Sequence, residues 1–366
     1  MSGRQTNRPI LVMAGGTGGH VYPALAVARA LKAREQNIVW LGTHRGLEAR
    51  VVPAAGIDIE WINVKGLRRK GVVALLVAPL QLAWALLQAI AVILRRRPAA
   101  VLGMGGFVSG PGGLAAWLTR RPLVIHEQNA AAGLTNRLLA RLARVVLQAF
   151  PGSFNSSIDV ETVGNPVRED IAAVAEPVVR YDERQGRLRL LVLGGSQGAL
   201  ALNQTVPAAI VLLPEDERPL VRHQCGDRTF GIAHTAYAEH DVDVELIPFI
   251  DDMAAAYAWA DLVVCRSGAL TVAELCAVGL PALFVPYPAA VDDHQTANAR
   301  PMADAGAAVI VDESMLTAEV LAGQLHEWLS SRADLQAKAE LARGLAKPNA
   351  LMRITELCLE QAGAAA

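Results

Sequence analysis

At 366 residues the chain exceeds what one hydrophobic core usually holds, which makes two domains the default reading. The 34 basic and 35 acidic side chains leave a formal charge of −1, which excludes a global field for nucleic acid and confines recognition of any anionic ligand to local clusters. Hydrophobic residues at 52%, a mean hydropathy of +0.29, 31 glycines and 5% aromatic residues suit an α/β fold with many tight strand-to-helix turns.

The N-terminal residues lead into Ile10–Ala14, an apolar run too short for a signal-peptide core, so export is not expected. Gly15-Gly16-Thr17-Gly18-Gly19-His20 follows and precedes the apolar stretch Val21–Ala28, the pattern of a turn between a buried strand and a helix. Glycines there let backbone N–H groups at a helix N-terminus approach an anion, with an imidazole at the edge. The alternative is an ordinary turn with a capping histidine. The dinucleotide fingerprint is broken, because Val21 stands where its third glycine belongs and no acid closes the next strand, Ile38–Gly42. A P-loop is excluded by the missing Lys-Ser/Thr.

Strands are predicted at 10–14, 37–42, 58–63, 99–104, 122–126, 144–148 and 160–163, alternating with helices as in a parallel sheet covered on both faces. A second glycine-rich turn, Gly103–Gly113, follows the fourth of these, and His126-Glu127-Gln128-Asn129 follows the fifth. Turns at the carboxyl ends of parallel strands should line one crevice. Between them Gly71–Leu94 carries no charge and is flanked by Lys65, Arg68, Arg69, Lys70 and by Arg95, Arg96, Arg97. It is long enough to span a bilayer, but Pro79 should break a simple helix there, and a spanning helix would divide one sheet between two sides of a membrane. An apolar surface with a basic rim, suited to anionic lipid, is the reading adopted for 65–97, against a plain core helix pair.

The first alternation ends near Gly164–Arg168, and residues 172–187 read as an interdomain boundary. The pattern restarts at Leu188–Leu193 with its turn Gly194–Ala199, and further strands are predicted at 219–224, 242–247, 261–265, 281–285 and 307–311. Cys225, Cys265, Cys276 and Cys358 include no C-x-x-C and read as buried free thiols. Arg266–Leu275 is the densest polar signal: Ser267 is placed to cap a short helix, and Glu274 to accept hydrogen bonds from two ribose hydroxyls, unless it is only a solvated helix carboxylate. Asp251-Asp252 and Asp292-Asp293-His294 lack a third spaced ligand, so no metal site is predicted. Gln295 and Asn298 can bind a polar substrate or only hold a loop. No G-x-S-x-G or H-E-x-x-H motif occurs.

Gly15–His20, Gly103–Gly113, His126–Asn129, Gly164–Arg168, Gly194–Gly198 with Asn203, and Arg266–Glu274 together resemble the MurG family, bacterial transferases that add N-acetylglucosamine to lipid I to make lipid II. The resemblance covers nearly the whole chain in order. It implies an α/β chain of the GT-B type, two Rossmann-like domains with parallel sheets facing a cleft. Residues 1–167 would form an acceptor-binding, membrane-associating domain with helix 350–366 packed back on it, and residues 168–349 the UDP-sugar domain. The implied reaction is an inverting, metal-independent transfer from UDP-N-acetylglucosamine to the C4 hydroxyl of the muramoyl sugar of lipid I, without a cofactor. Its implied setting is the cytoplasmic face of the inner membrane, with cell-wall synthesis and division proteins as partners.

The resemblance also assigns residues. UDP-sugar contacts would fall on Thr17, Gly18, Gly19, Asn129, Arg168, Ser196, Ile250, Ala269, Leu270, Thr271, Val272, Ala273, Glu274 and Gln295. Ile250 would meet uracil through its backbone. His20 would be the general base, and Gly15, Gly16, Gly105, Gly106, Ser109 and Gly110 would hold the acceptor's diphosphate. Two positions depart from some members: Phe107 replaces a tyrosine, and His294 the first glutamine of a pair, so Gln295 alone is assigned to the sugar hydroxyls. Independently of the resemblance, such a transfer needs a base beside the acceptor hydroxyl and donors for the charge on the leaving diphosphate. A UDP-N-acetylglucosamine 2-epimerase of the same two-domain design is the competing enzyme class. A nicotinamide oxidoreductase is weakened by the broken fingerprint, and a two-lobed binding protein by the lack of an export signal.

Overall fold

A computed structural model of the chain describes residues 8–64, 72–182, 184–195, 198–290 and 293–364, excepting the side chains of 72–76. It divides into two compact units, Met1–Val167 with Asn349–Ala366, and Arg168–Pro348.

The first unit contains strands β1 (Ile10–Met13), β2 (Ile38–Gly42), β3 (Asp58–Trp61), β4 (Ala100–Gly103), β5 (Leu123–Glu127), β6 (Val145–Gln148) and β7 (Glu161–Thr162). They form one parallel sheet in the order β3-β2-β1-β4-β5-β6-β7. Its helices are α1 (Gly18–Ala33), α2 (Glu48–Ala54), α3 (Val72–Arg96), α4 (Ser109–Leu118) and α5 (Leu134–Leu139). Every strand predicted from an apolar run is present, because a parallel sheet buried on both faces needs side chains of one kind throughout. Ile10 and Val12 join a core with Val21, Leu25 and Leu31 of α1, whereas Leu11 and Met13 pack on the opposite face with Val92 and Ile93 of α3.

The second unit repeats the design with β8 (Arg189–Leu193), β9 (Leu220–Gln224), β10 (Glu245–Ile247), β11 (Leu262–Cys265), β12 (Ala282–Phe284) and β13 (Ala308–Ile310), parallel in the order β10-β9-β8-β11-β12-β13. Its helices are α6 (Glu169–Ala172), α7 (Pro177–Asp182), α8 (Leu200–Val211), α9 (Phe230–Glu239), α10 (Met253–Trp259), α11 (Ala269–Val278), α12 (His294–Asp304), α13 (Ala318–Leu329) and α14 (Arg332–Gly344). Beyond it in sequence, α15 (Ala350–Ala364) places Ile354, Leu357, Cys358 and Ala362 in the core of the first unit, and Arg353 pairs with Glu161 there. All four cysteines are buried and free.

The apolar stretch forms a single helix that continues through Pro79, contrary to the predicted break. Proline forfeits only its own backbone donor and crowds one carbonyl four residues back, so the helix proceeds with one bond fewer. Its segment Val77–Arg96 is long and apolar enough to cross a membrane. From Ala85 onward the side chains divide by face: Ala85, Ala89, Val92 and Ile93 are buried in the unit, whereas Leu87 and Leu94 are exposed, in series with Val77, Leu80 and Trp84 before them at spacings of three, four or seven, with Leu82 exposed outside that series. That spacing sets them along one stripe. At the second end of the expected basic rim the structure adds an acidic neighbour. Arg95 and Arg96 pair with Glu60 of β3, the Arg96 Nε at 2.7 Å, so that carboxylate offsets part of their charge. Lys65, Arg68, Arg69 and Lys70 lie outside the described residues.

Candidate functional site

In each unit the strand order reverses direction at one place, between β1 and β4 in the first and between β8 and β11 in the second. Loops at the carboxyl ends of such neighbouring strands diverge and leave a crevice, where open α/β sheets bind ligands. The first glycine loop follows β1 and the second follows β4. Their contact is direct: a Cβ added to Gly105 would lie 2.6 Å from His20 Nδ1, and one on Gly106 2.2 Å from the Gly15 carbonyl oxygen. Both residues also have positive φ, +93° and +82°. Gly106→Ala is therefore expected to lower unfolding stability by about 1–3 kcal/mol from the backbone conformation alone, with the clash adding to it. Chemical denaturation measures the loss, and unchanged stability would contradict the close approach.

Thr17 stands at the N-cap position of α1 without a side-chain capping bond, so Gly18, Gly19 and His20 occupy its first turn, and the amides of Gly18 and Gly19 have no acceptor within the helix. His20 is half-buried, and its Nδ1 lies 2.9 Å from Gln128 Oε1. Gln128 Nε2 reaches His126 Nδ1 at 3.0 Å and the His126 carbonyl at 3.0 Å, and His126 Nε2 reaches the Gly164 carbonyl at 2.8 Å. Burial lowers the His126 pKa to about 4, partly offset by its bond to Gly164 and by the charge of Glu127, so this imidazole is neutral. Asn129 is joined to the same ridge, its backbone N–H and Nδ2 donating to the buried Glu127 carboxylate at 3.0 and 3.1 Å.

Two of the residues assigned to the acceptor diphosphate, Gly16 and Ser109, have partners within the first unit. The Gly16 N–H donates to the buried carboxylate of Glu48 at 2.9 Å, and Glu48 also accepts from the Thr43 N–H and hydroxyl. That amide is engaged within the unit. Ser109 is wholly buried, its hydroxyl donating to the Gly105 carbonyl at 2.8 Å, so it braces the second loop from within. Gly105 and Gly106 are turned against His20 and Gly15, and Gly110 is half-buried near Thr135.

In the second unit α10 and α11 bring Tyr257 and Glu274 together, with Arg168 near enough for its charge to act on Glu274. Glu274 is buried in α11 and accepts a hydrogen bond from the Tyr257 hydroxyl at 2.8 Å. Desolvation raises its pKa to about 7, opposed by that bond and by the Arg168 charge. On the same helix Leu270, Thr271 and Ala273 are half-buried, whereas Ala269 and Val272 turn into the core and can meet a ligand only through their backbone. Ser267 is not the cap: Gly268 takes that position, and the Ser267 hydroxyl is buried with no hydrogen-bond partner among the described residues.

Gln224 brackets the third glycine loop, accepting from the Gly195 N–H and donating to the Gly195 and Pro248 carbonyls, each at 3.0 Å. This ties that loop to the segment carrying Ile250, which is half-buried. Ser196, the loop residue assigned to the donor, lies outside the described residues. Gln295 Oε1 accepts the Tyr287 N–H at 2.9 Å, which leaves its Nε2 as the donor to offer a sugar hydroxyl. Asp252 caps α10 through the Ala255 N–H, and among the described residues no group of three His, Cys, Asp or Glu could hold a metal. Gln128, Tyr257, Glu48 and Gln224 were not assigned roles from the sequence; only the position of Gln128 inside His126–Asn129 hinted at one.

The family model described as the glycosyltransferase family 28 N-terminal domain matches residues 10–148, and that of the family's C-terminal domain matches residues 189–354. The UDP-N-acetylglucosamine–N-acetylmuramyl-(pentapeptide) pyrophosphoryl-undecaprenol N-acetylglucosamine transferase of Alkalilimnicola ehrlichii is 58% identical over 97% of this chain and 99% of its own. Among solved structures, MurG of Acinetobacter baumannii is 42% identical with a TM-score of 0.83, covering 96% of this chain and 99% of its own. A structure from Listeria monocytogenes described as a UDP-N-acetylglucosamine 2-epimerase shares the fold alone, at 15% identity and a TM-score of 0.64 over 95% of each chain.

Proposed function

The chain belongs to glycosyltransferase family 28, and from that premise we propose that it transfers N-acetylglucosamine from UDP-N-acetylglucosamine to N-acetylmuramyl-(pentapeptide) pyrophosphoryl-undecaprenol, lipid I, giving lipid II. The observation that carries this reading is identity at more than half of all positions, over nearly the full length, to a transferase of that activity. The site chemistry supports it. His20 takes the proton from the C4 hydroxyl of the muramoyl sugar as that oxygen bonds to the anomeric carbon and the bond to UDP breaks, which inverts the anomeric configuration. Glu274 accepts the ribose hydroxyls, and the N-terminus of α11 on the same unit favours negative charge on the leaving diphosphate, the task otherwise given to a metal.

Transfer of labelled N-acetylglucosamine from its UDP donor to a lipid I analogue, run in EDTA, tests the assignment and metal independence together. Loss of transfer on chelation overturns the metal-free mechanism, and conversion of the donor to its 2-epimer without transfer overturns the function.

A lipid-borne acceptor also gives the exposed stripe of α3 a use: an apolar ridge set against a membrane surface brings the enzyme to its substrate. Replacing Trp84 and Leu87 by glutamate is expected to weaken binding to anionic phospholipid vesicles by about tenfold or more, since each buried side chain of this size contributes roughly 1.5–3 kcal/mol. Co-sedimentation measures it, and undiminished binding would remove α3 from the membrane contact.

A further inference from the structure

The hydrogen bonds behind His20 determine more than its orientation. A backbone carbonyl can only accept, and Gln128 Nε2 stands 3.0 Å from the His126 carbonyl oxygen, so the amide group of Gln128 is oriented with its NH2 toward His126. The Gly164 carbonyl likewise requires that His126 carry its proton on Nε2, which leaves His126 Nδ1 as an acceptor for the same NH2. Both constraints agree, and together they turn Gln128 Oε1 toward His20. An amide oxygen only accepts; the 2.9 Å contact therefore exists when His20 Nδ1 bears a proton. In the neutral imidazole the lone pair is then on Nε2.

We infer that Gln128 is a positioning residue for the transfer reaction, holding His20 in the Nδ1–H tautomer so that Nε2 is the basic nitrogen, with His126 and the Gly164 carbonyl fixing Gln128 in turn. A free histidine prefers the opposite tautomer, with the proton on Nε2, and in that form the outer nitrogen could not accept a proton from an acceptor hydroxyl. The relay differs from an acid–histidine pair because its middle member is a neutral amide: it selects the tautomer without adding a counter-charge to the imidazolium. Gly105 closes the near side of the ring, where a side chain would displace the imidazole from the amide. The inference deepens the proposed transferase reading and rests on His20 being its base.

Nitrogen-15 spectra of the full-length protein, with His20 assigned by comparison with the His20→Gln variant, test it above the pH at which the imidazole loses its charge. The expected result is a protonated Nδ1 and an unprotonated Nε2 in the unmodified protein. In Gln128→Leu, which keeps the bulk and removes the acceptor, His20 is expected to revert to the Nε2–H form. That variant should lose kcat by roughly 10- to 100-fold while its KM for UDP-N-acetylglucosamine stays within about twofold. A neutral His20 protonated on Nε2 in the unmodified protein would overturn the inference, whatever the variant's fold or activity. If the tautomer is as expected but no transfer to lipid I analogue occurs, the functional reading fails and the relay stands.

Discussion

His20→Ala is expected to lower kcat for transfer to a lipid I analogue by about 10²–10⁴-fold, the span that a positioned general base contributes. UDP-N-acetylglucosamine should still bind the second unit, since Tyr257 and Glu274 lie there and are untouched by the change. The split separates a lost base from a lost site: calorimetric binding of the donor persists while turnover disappears. Loss of a merely structural histidine would show instead in unfolding stability. Near-normal kcat for the alanine variant would assign the base elsewhere.

The second large effect concerns Glu274. Replacing it by glutamine keeps an oxygen for the Tyr257 hydroxyl but withdraws the charged acceptor, and hydrogen bonds to charged groups contribute about 1.5–3 kcal/mol. A rise in donor KM of roughly 10- to 100-fold is expected. In the unmodified enzyme the same KM should climb as pH falls through about 7, because protonation there removes the carboxylate proposed to accept the ribose hydroxyls.

Stability moves the other way. Between the ordinary 4.5 and about 7, the folded protein holds a proton that the unfolded chain has released, so folding weakens as pH rises across that window. Glu274→Gln removes this penalty and should be more stable than the parent at pH 8, by as much as about 3 kcal/mol, with the difference vanishing near pH 4.5. Denaturant unfolding of the unliganded protein at the two pH values would show it. Equal stability at pH 8 would mean that burial does not hold this carboxyl's proton.

The architecture was legible because most strands are apolar runs bounded by glycine, proline or polar turns, as buried parallel strands require, with the exposed edge pair Glu161–Thr162 of β7 an exception. Glycine clusters likewise located the carboxyl ends of β1, β4 and β8. What a glycine cluster does not encode is the partner of each exposed amide. Gly16 looks in sequence like a phosphate donor, yet its N–H is taken by Glu48, a residue 32 positions away that reads as an ordinary first-turn helix acid. Ser267 looks like a cap because it precedes a helix, but β11 delivers it into the core and Gly268 begins the turn. Gln128 meets His20 across 108 positions, and the orientation of its amide depends on a backbone carbonyl, which no residue pattern reveals. Pro79 weakens the helix only locally, and the apolar face of α3 outweighs it.

The path of the chain through its two units bears on how the protein comes into being. It leaves the first unit after Val167, builds all of the second, and returns at Asn349. The four core residues of α15 cover a sheet whose strands were synthesised before the second unit began. During translation the first unit therefore waits with part of its apolar face open while the other completes itself from a contiguous segment. A chain that ends before α15 therefore lacks part of the core that packs beneath α1, the helix carrying His20.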